Sequence, residues 1–520
     1  MSRQSAVDSR QSAGSRGSGA VAALVSALFM AAPASAALTE APRLAAVYDD
    51  ILDARFDRIE GTLKQACPPA PAEACLALGA VSLYWQILLD PGNRERDGRF
   101  NESAAAAIAA SEAWTKREPR RAEAWFYLAG SYAPLIQFRV VRGQRLAAAR
   151  DGRRTLDALQ RALQLDPGLV DANFGIGLYH YYADVAPAAV KVLRLLLLLP
   201  GGDRATGLKE MRQARDGGAL LKGEADYQLH QIYLWYEHKL QEALDLLRGL
   251  DARYAFNPLF LWRMAEATDE YAHDHPASAA AWQALLDRAR ERRVYDAVRV
   301  EGVARIGLAG QLDAMDETDR AIEHLTAVVN AKGSGLRGSL LAEAFLRLAE
   351  AHDRLGNRDL AVKAYNALLA QAAESDTRIR ARAREGLRQA PDRNVADAYR
   401  LALEGWRAFE RGAIESAAAS LARSIELNAS DPVARYRFAR TLAARGDRAR
   451  ARELYEGLLA GKLPPPFILA AVYVDYARLL ESASDRGRAI EMYRRAESTV
   501  ASDRRAREEA SAALKRLGAS

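Results

Sequence analysis

Strand signals are almost missing from this 520-residue chain. No sustained apolar/polar alternation runs between Asn-Gly or Asp-Gly turns, which argues against a sheet-based fold. Catalytic signatures are missing as well: there is no GxSxG and no HExxH, and neither of the two cysteines stands in a Cys-His arrangement. The seven histidines are scattered. His273 and His275 flank Asp274 in one short cluster, and His230 and His238 lie too far apart on one helix to share a metal without outside ligands. No metal, cofactor or enzymatic chemistry is therefore expected. Charge of one sign is also lacking, since the net +6 becomes +4 without residues 1–36, which carry three Arg and one Asp. Arg is mixed with Glu and Asp along the whole chain, as on solvated helix faces, and nucleic acid is not an expected partner.

What is present begins with a leader. Arg3, Arg10 and Arg16 stand in a Ser-rich stretch, followed by the apolar run AVAALVSALFMAA from Ala20 and an A-x-A pattern at Ala34, Ser35 and Ala36. This order reads as an export signal cleaved after Ala36 or, because the stretch is longer than usual, as an uncleaved anchor or a later start. The arginines are not adjacent and no cysteine follows the apolar run, which argues against twin-arginine export and a lipoprotein anchor. The expected location is the periplasm or another exported compartment, with no transmembrane helix in the mature chain. There, Cys67 and Cys75 in CPPAPAEAC are candidates for a disulfide across a proline-rich loop; two unpaired buried thiols are the other reading.

Ala and Leu dominate the hydrophobic half of the composition, and apolar residues recur at spacings of three and four from about Leu44 onward, so the fold class is all-α. LAEAFLRLAEAHDRLGNRDLAVKAYNALLA sets Phe345, Leu348, Ala349, Gly356, Ala361, Tyr365 and Leu368 at intervals that return at Phe438, Ala439, Gly446, Ala451, Tyr455 and Leu458. They return again at Tyr473, Tyr476, Ala477, Ala489, Tyr493 and Ala496, and more weakly at Gly405, Gly412 and Ala417 and at Leu308, Ala309, Ala321 and Leu325. The pattern resembles the tetratricopeptide repeat (TPR), in the manner of exported bacterial TPR-containing proteins. That resemblance implies an α-solenoid of antiparallel helix pairs, in which small residues let the two helices approach and glycine opens the turn between them.

The N-terminal half is more divergent. Trp125, Leu128, Ala129 and Tyr132 fit a first helix, but Ala158, Ala162 and Pro167 follow only after an insertion from Arg139 to Arg154; Ile232, Tyr236, Ala243 and Leu247 fit a later pair. About seven to nine repeats are expected. The expected divisions are a signal peptide at 1–36, a divergent helical-repeat region at 37–300, repeats with a closing helix at 301–390, and C-terminal repeats with a capping helix at 391–520.

The resemblance implies partner contacts at the second, fifth, ninth and twelfth positions of each first helix, here Tyr399, Trp406, Phe409, Tyr436, Arg440 and Arg478. Aromatics beside arginines suit an extended, partly acidic peptide, and the functional expectation is a scaffold binding a protein partner in a cell-envelope assembly. The tract NFGIGLYHYYADV offers an alternative: Tyr179, His180, Tyr181 and Tyr182 either form part of a pocket for a lipid or glycan or pack irregular repeats together. The stretch VAPAAVKVLRLLLLLPGGDR follows. Its run from Val192 to Leu199 is too short to cross a bilayer, and PGGDRATG lacks the lysine of a phosphate loop. A buried helix is expected, ended by Gly201 and Gly202, with Asp203 capping the next.

Overall fold

The computed structural model describes residues 38–186, 200–331, 336, 338–371, 377–461 and 463–519; the leader and the leucine run lie outside them. The described residues form 24 helices and no strand. Eleven helix pairs follow one another, from Ala41–Leu52 with Ile59–Ala66 to Pro466–Ser482 with Arg486–Ser498. Two single helices, Thr377–Arg388 and Arg504–Arg516, follow the eighth and the last pair. Helices pack mainly on their neighbours in sequence, as in an α-solenoid, and this packing is interrupted between Thr377–Arg388 and Arg393–Glu410.

Local sequence accounts for the elements. Asp203, Asp392, Asp431, Asp447, Asp485 and Asp503 each accept a backbone N–H from the first turn of the helix that follows, so orphan donors are satisfied where the chain enters a helix. Gly356, Gly412 and Gly446, at φ +77°, +77° and +95°, turn the chain between the helices of three pairs. In the last pair Ser484 takes that place at φ +63°. The insertion from Arg139 to Arg154 is not a loop. It lengthens its pair, Ala122–Val141 and Arg145–Leu165, to 20 and 21 residues, against 14 and 13 for Pro432–Arg445 and Arg448–Ala460.

The first half of the array closes on itself. Tyr254 Oη donates to Asp49 at 2.6 Å, Phe256 N to Asp53 at 2.9 Å, Asn257 Nδ2 to the Leu52 carbonyl at 2.7 Å and Arg299 Nη2 to the Leu89 carbonyl at 2.5 Å, across 203 to 210 residues of sequence. A plain solenoid joins neighbouring repeats alone. The cause is helix Ala72–Leu89, whose Leu78, Leu83, Tyr84, Trp85, Ile87 and Leu89 are all buried. Lacking a polar face, it needs cover all round. Trp85 packs 5.1 Å from Tyr227 and 6.2 Å from Phe260. Among the described helices this one is long and apolar enough to cross a membrane, and 56% of that span is buried inside the protein.

A carboxyl group sits at the closure. Glu224, 5% exposed, accepts from Tyr48 Oη at 3.2 Å and from Gln228 Nε2 at 3.0 Å. Burial pushes its pKa up, against the pull of those hydrogen bonds. The unfolded chain therefore ionises Glu224 at the ordinary glutamate pKa and the folded chain only at higher pH. The stability it contributes is whole below the ordinary value and is lost as pH rises through it toward the folded one. Urea unfolding of the wild type is expected to weaken more between pH 4.5 and pH 7 than that of Glu224→Gln; equal losses would contradict the assignment. Ser484→Gly is expected to raise stability by about 1 kcal/mol, because glycine adopts the left-handed turn without the side-chain clash; an unchanged thermal midpoint would show the turn to be unstrained.

Candidate functional site: the first-helix face of the C-terminal pairs

The first helices of the last three pairs, Arg393–Glu410, Pro432–Arg445 and Pro466–Ser482, carry all six residues expected to meet a partner. Trp406 and Phe409, one helical turn apart and both half-buried, stack with ring centroids 5.2 Å apart and planes at 11°. From the next pair, Arg440 lies 5.6 Å from each ring and Arg437 lies 5.3 Å over Trp406. Arg440 also donates to Tyr436 Oη at 3.3 Å and lies 3.4 Å from Asp475, to which Tyr436 Oη donates at 2.9 Å. Arg478 pairs with Asp475 at 3.0 Å and with Glu509 on the capping helix Arg504–Arg516. One polar and aromatic ladder thus runs from Trp406 to Glu509.

Burial raises the Asp475 carboxyl against the opposing charge of Arg440, and burial with the nearby Asp475 carboxylate raises the Tyr436 phenol. Arg440 and Arg478 are balanced by carboxylates of the same face, so what the face offers outward is mainly ring surface with little free charge. Two of the six candidates depart from the expectation. Tyr436 is 4% exposed and supports the face from beneath, because its hydroxyl turns inward to Asp475. Tyr399 is covered by the chain itself: its Oη lies 2.8 Å from Thr318 Oγ1, and Arg354 lies 5.7 Å over its ring. Trp406, Phe409, Arg440 and Arg478 remain reachable. Sequence reasoning missed Arg437 and Asp475, although the i, i+3 spacing of Asp475 and Arg478 was a signal for that pair.

The central tyrosines are placed differently. Tyr181 is fully buried and its Oη donates to Glu237 at 2.5 Å, which also accepts from Arg204 at 2.6 Å. Tyr182 packs edge-on against Tyr236 at 5.6 Å, Tyr179 Oη donates to the Pro200 carbonyl at 3.0 Å, and His180 Nδ1 lies 2.7 Å from Glu210. Tyr181 is thus spent on packing between helices, whereas Tyr179, His180 and Tyr182 are half-buried. Two surface cavities of about 290 and 360 Å³ lie elsewhere, the second among Arg55, Phe256, Arg288, Arg292 and Arg293. Cys67 and Cys75 are joined as a disulfide. Among the described residues no group of three or more His, Cys, Asp or Glu is placed to hold a metal.

Within each of the last two pairs a small residue separates the helices and a tyrosine fills the gap behind it, Ala451 with Tyr455 and Ala489 with Tyr493, and in the pair before them Leu421 stands behind Ala417; all are 2% exposed or less. With the left-handed turn glycines this fixes the repeat type. The pairs are tetratricopeptide-like. No family model and no curated protein matches the chain. Solved structures similar to it include a Rap protein complexed with competence and sporulation factor, at 11% identity and TM-score 0.30 over 92% of this chain and 98% of that one. Others are a TPR protein from Parabacteroides merdae ATCC 43184, at 15% identity and TM-score 0.25 over 57% and 98%, and the TPR domain of P58(IPK), at 15% identity and TM-score 0.22 over 85% and 98%.

Tyr436→Phe keeps the ring and removes the donor to Asp475, whose side chain is 11% exposed. It is expected to cost about 1–2 kcal/mol in chemical unfolding, and an unchanged unfolding curve would remove Tyr436 from the ladder.

Proposed function

We propose that the chain is a non-enzymatic scaffold that binds an extended segment of a protein partner on the face formed by Trp406, Phe409, Arg440 and Arg478. The stacked, half-buried Trp406–Phe409 pair beside Arg440 carries this reading. Both rings are held by the helices beneath them, so they offer a large amphipathic contact at little entropic cost, and Trp and Arg are the residues that most often dominate binding energy at interfaces. An apolar or ring-bearing side chain of the partner lies against the aromatic pair, and its backbone carbonyls meet the outer edges of Arg440 and Arg478, whose charges Asp475 and Glu509 already balance.

We place this scaffold in the cell envelope. The order of the leader, basic, then apolar, then A-x-A, supports export. A joined Cys67–Cys75 pair suits an oxidising compartment. In proximity labelling in the native cell, Trp406→Ala and Arg440→Ala are expected to lower the same small set of labelled proteins at least tenfold while leaving the level of the scaffold unchanged. A partner set that does not change would overturn the face assignment. Mass spectrometry of the purified native chain is expected to find Ala37 at the N-terminus; a chain retaining residues 1–36 would overturn cleavage.

A further inference from the structure

The interrupted step between Thr377–Arg388 and Arg393–Glu410 is bridged from elsewhere in the chain. Residues 313–319, DAMDETD, turn between Ala297–Ala314 and Thr318–Asn330 and reach the first helices of the C-terminal pairs. Arg407 donates to both oxygens of Asp319, at 2.6 and 2.8 Å, and lies 3.5 Å from Glu317. Arg437, 5% exposed, donates to the Asp316 carbonyl at 3.0 Å, and Thr318 and Tyr399 share a hydroxyl hydrogen bond at 2.8 Å. The same Arg437 lies over Trp406, so the turn stops where the open aromatic face begins.

This contact has the chemistry of recognition. Of the four carboxylates in these seven residues, Asp319 and Glu317 meet the two-pronged Arg407 and Asp313 and Asp316 lie 3.2 and 4.0 Å from Arg354, while Arg437 takes a backbone carbonyl and Tyr399 a hydroxyl, a set that reads an acidic turn. Apolar contact across the interrupted step is slight: the buried hydrophobic clusters on either side are separate, and between Ala383 and Ala402 the buried apolar residues are the small Ala396 and Ala398. A cavity of about 290 Å³ opens beside the turn, lined by Asp316, Arg354, Val395, Tyr399 and Asp431. We propose that residues 313–319 are an internal ligand occupying the first section of the partner-binding face, and that a partner with an acidic, hydroxyl-bearing segment binds by taking their place on Tyr399, Arg407 and Arg437. This rests on the reading of that face as the partner site.

The test uses the full chain and a fluorescein-labelled synthetic peptide of residues 311–321, followed by fluorescence anisotropy. The double variant Thr318→Ala/Asp319→Ala, which frees the section, is expected to bind the peptide at least tenfold more tightly than the wild type, and addition of Arg407→Ala is expected to abolish that gain. Equal binding by wild type and double variant, binding by neither, or a gain that survives Arg407→Ala would overturn the proposal. Arg407→Ala alone gives a second reading without peptide: small-angle scattering is expected to show a larger maximum dimension, and unchanged dimensions would overturn the latch. If these outcomes fail while Trp406→Ala still loses its labelled partners, the internal ligand falls and the partner face stands.

Discussion

Helix Ala72–Leu89 buries Leu78, Trp85, Ile87 and Leu89 on more than one side, and leaving such surface in water costs about 25 cal/mol per Å². Two layers of a plain solenoid cannot enclose a helix of that kind. Helices Ala41–Leu52, Asp97–Arg117 and Ala122–Val141 pack against it directly, and Tyr227 and Phe260 from later pairs reach its Trp85. The hydrogen bonds of the closure follow from this enclosure, because backbone groups brought out of water need partners. Asn257 satisfies two such needs at once, donating to the Leu52 carbonyl while accepting from Leu259 N at the start of its own helix. Glu224 is carried into the interior by the same event and is tolerated there through Tyr48 and Gln228.

The closure also sets the first half apart from the last three pairs, where the proposed face lies. In the first half, Ala72–Leu89 packs against the first helices of later pairs, Ala122–Val141 directly and, through Trp85, Tyr227 and Phe260 of two more. Beside the last three pairs only the turn at 313–319 intrudes, and it meets their first section at Tyr399, Arg407 and Arg437. Their first helices keep Trp406 and Phe409 half-buried, and the polar groups around them are held in fixed positions by Asp475 and Glu509. A surface with its side chains already ordered loses less on binding than a flexible one.

The helix pairs of the C-terminal half were legible because the roles of Gly356, Gly446, Ala451 and Tyr455 depend on residues within one repeat. Asp203 was legible as a cap for the same reason. The closure was not, since Asp49, Asp53 and Asn257 look like ordinary turn and cap residues until partners more than 200 positions away are known. Eleven pairs stand among the described residues against the seven to nine expected, because an early helix such as Ala72–Leu89 is apolar along its length and loses the repeat spacing. At the site, Trp406 and Tyr436 both fell at groove positions by motif, yet burial separates them: the hydroxyl of Tyr436 finds Asp475 beneath the face, whereas the indole of Trp406 lies between Phe409 and two arginines. Nothing local in the sequence of the acidic turn at 313–319 marks the C-terminal helices as its destination.

The two halves are thus held by different physics. Each array is sealed by buried apolar side chains, where removing one large residue costs about 2–5 kcal/mol. The joint at 313–319 is made of ion pairs and hydrogen bonds, and ion pairs open to water contribute about 0–1 kcal/mol each, less in salt. Arg407, Glu317 and Asp319 are 18%, 23% and 36% exposed, so each is in part hydrated, although the two-pronged Arg407–Asp319 contact holds more firmly than a single open pair. Arg437 is the exception, and because its guanidinium serves both Trp406 and the Asp316 carbonyl, displacement of the turn alters the surroundings of the aromatic pair directly. A competing ligand therefore meets the least resistance at the joint, and occupancy there is physically continuous with the ring surface that the rest of the face presents.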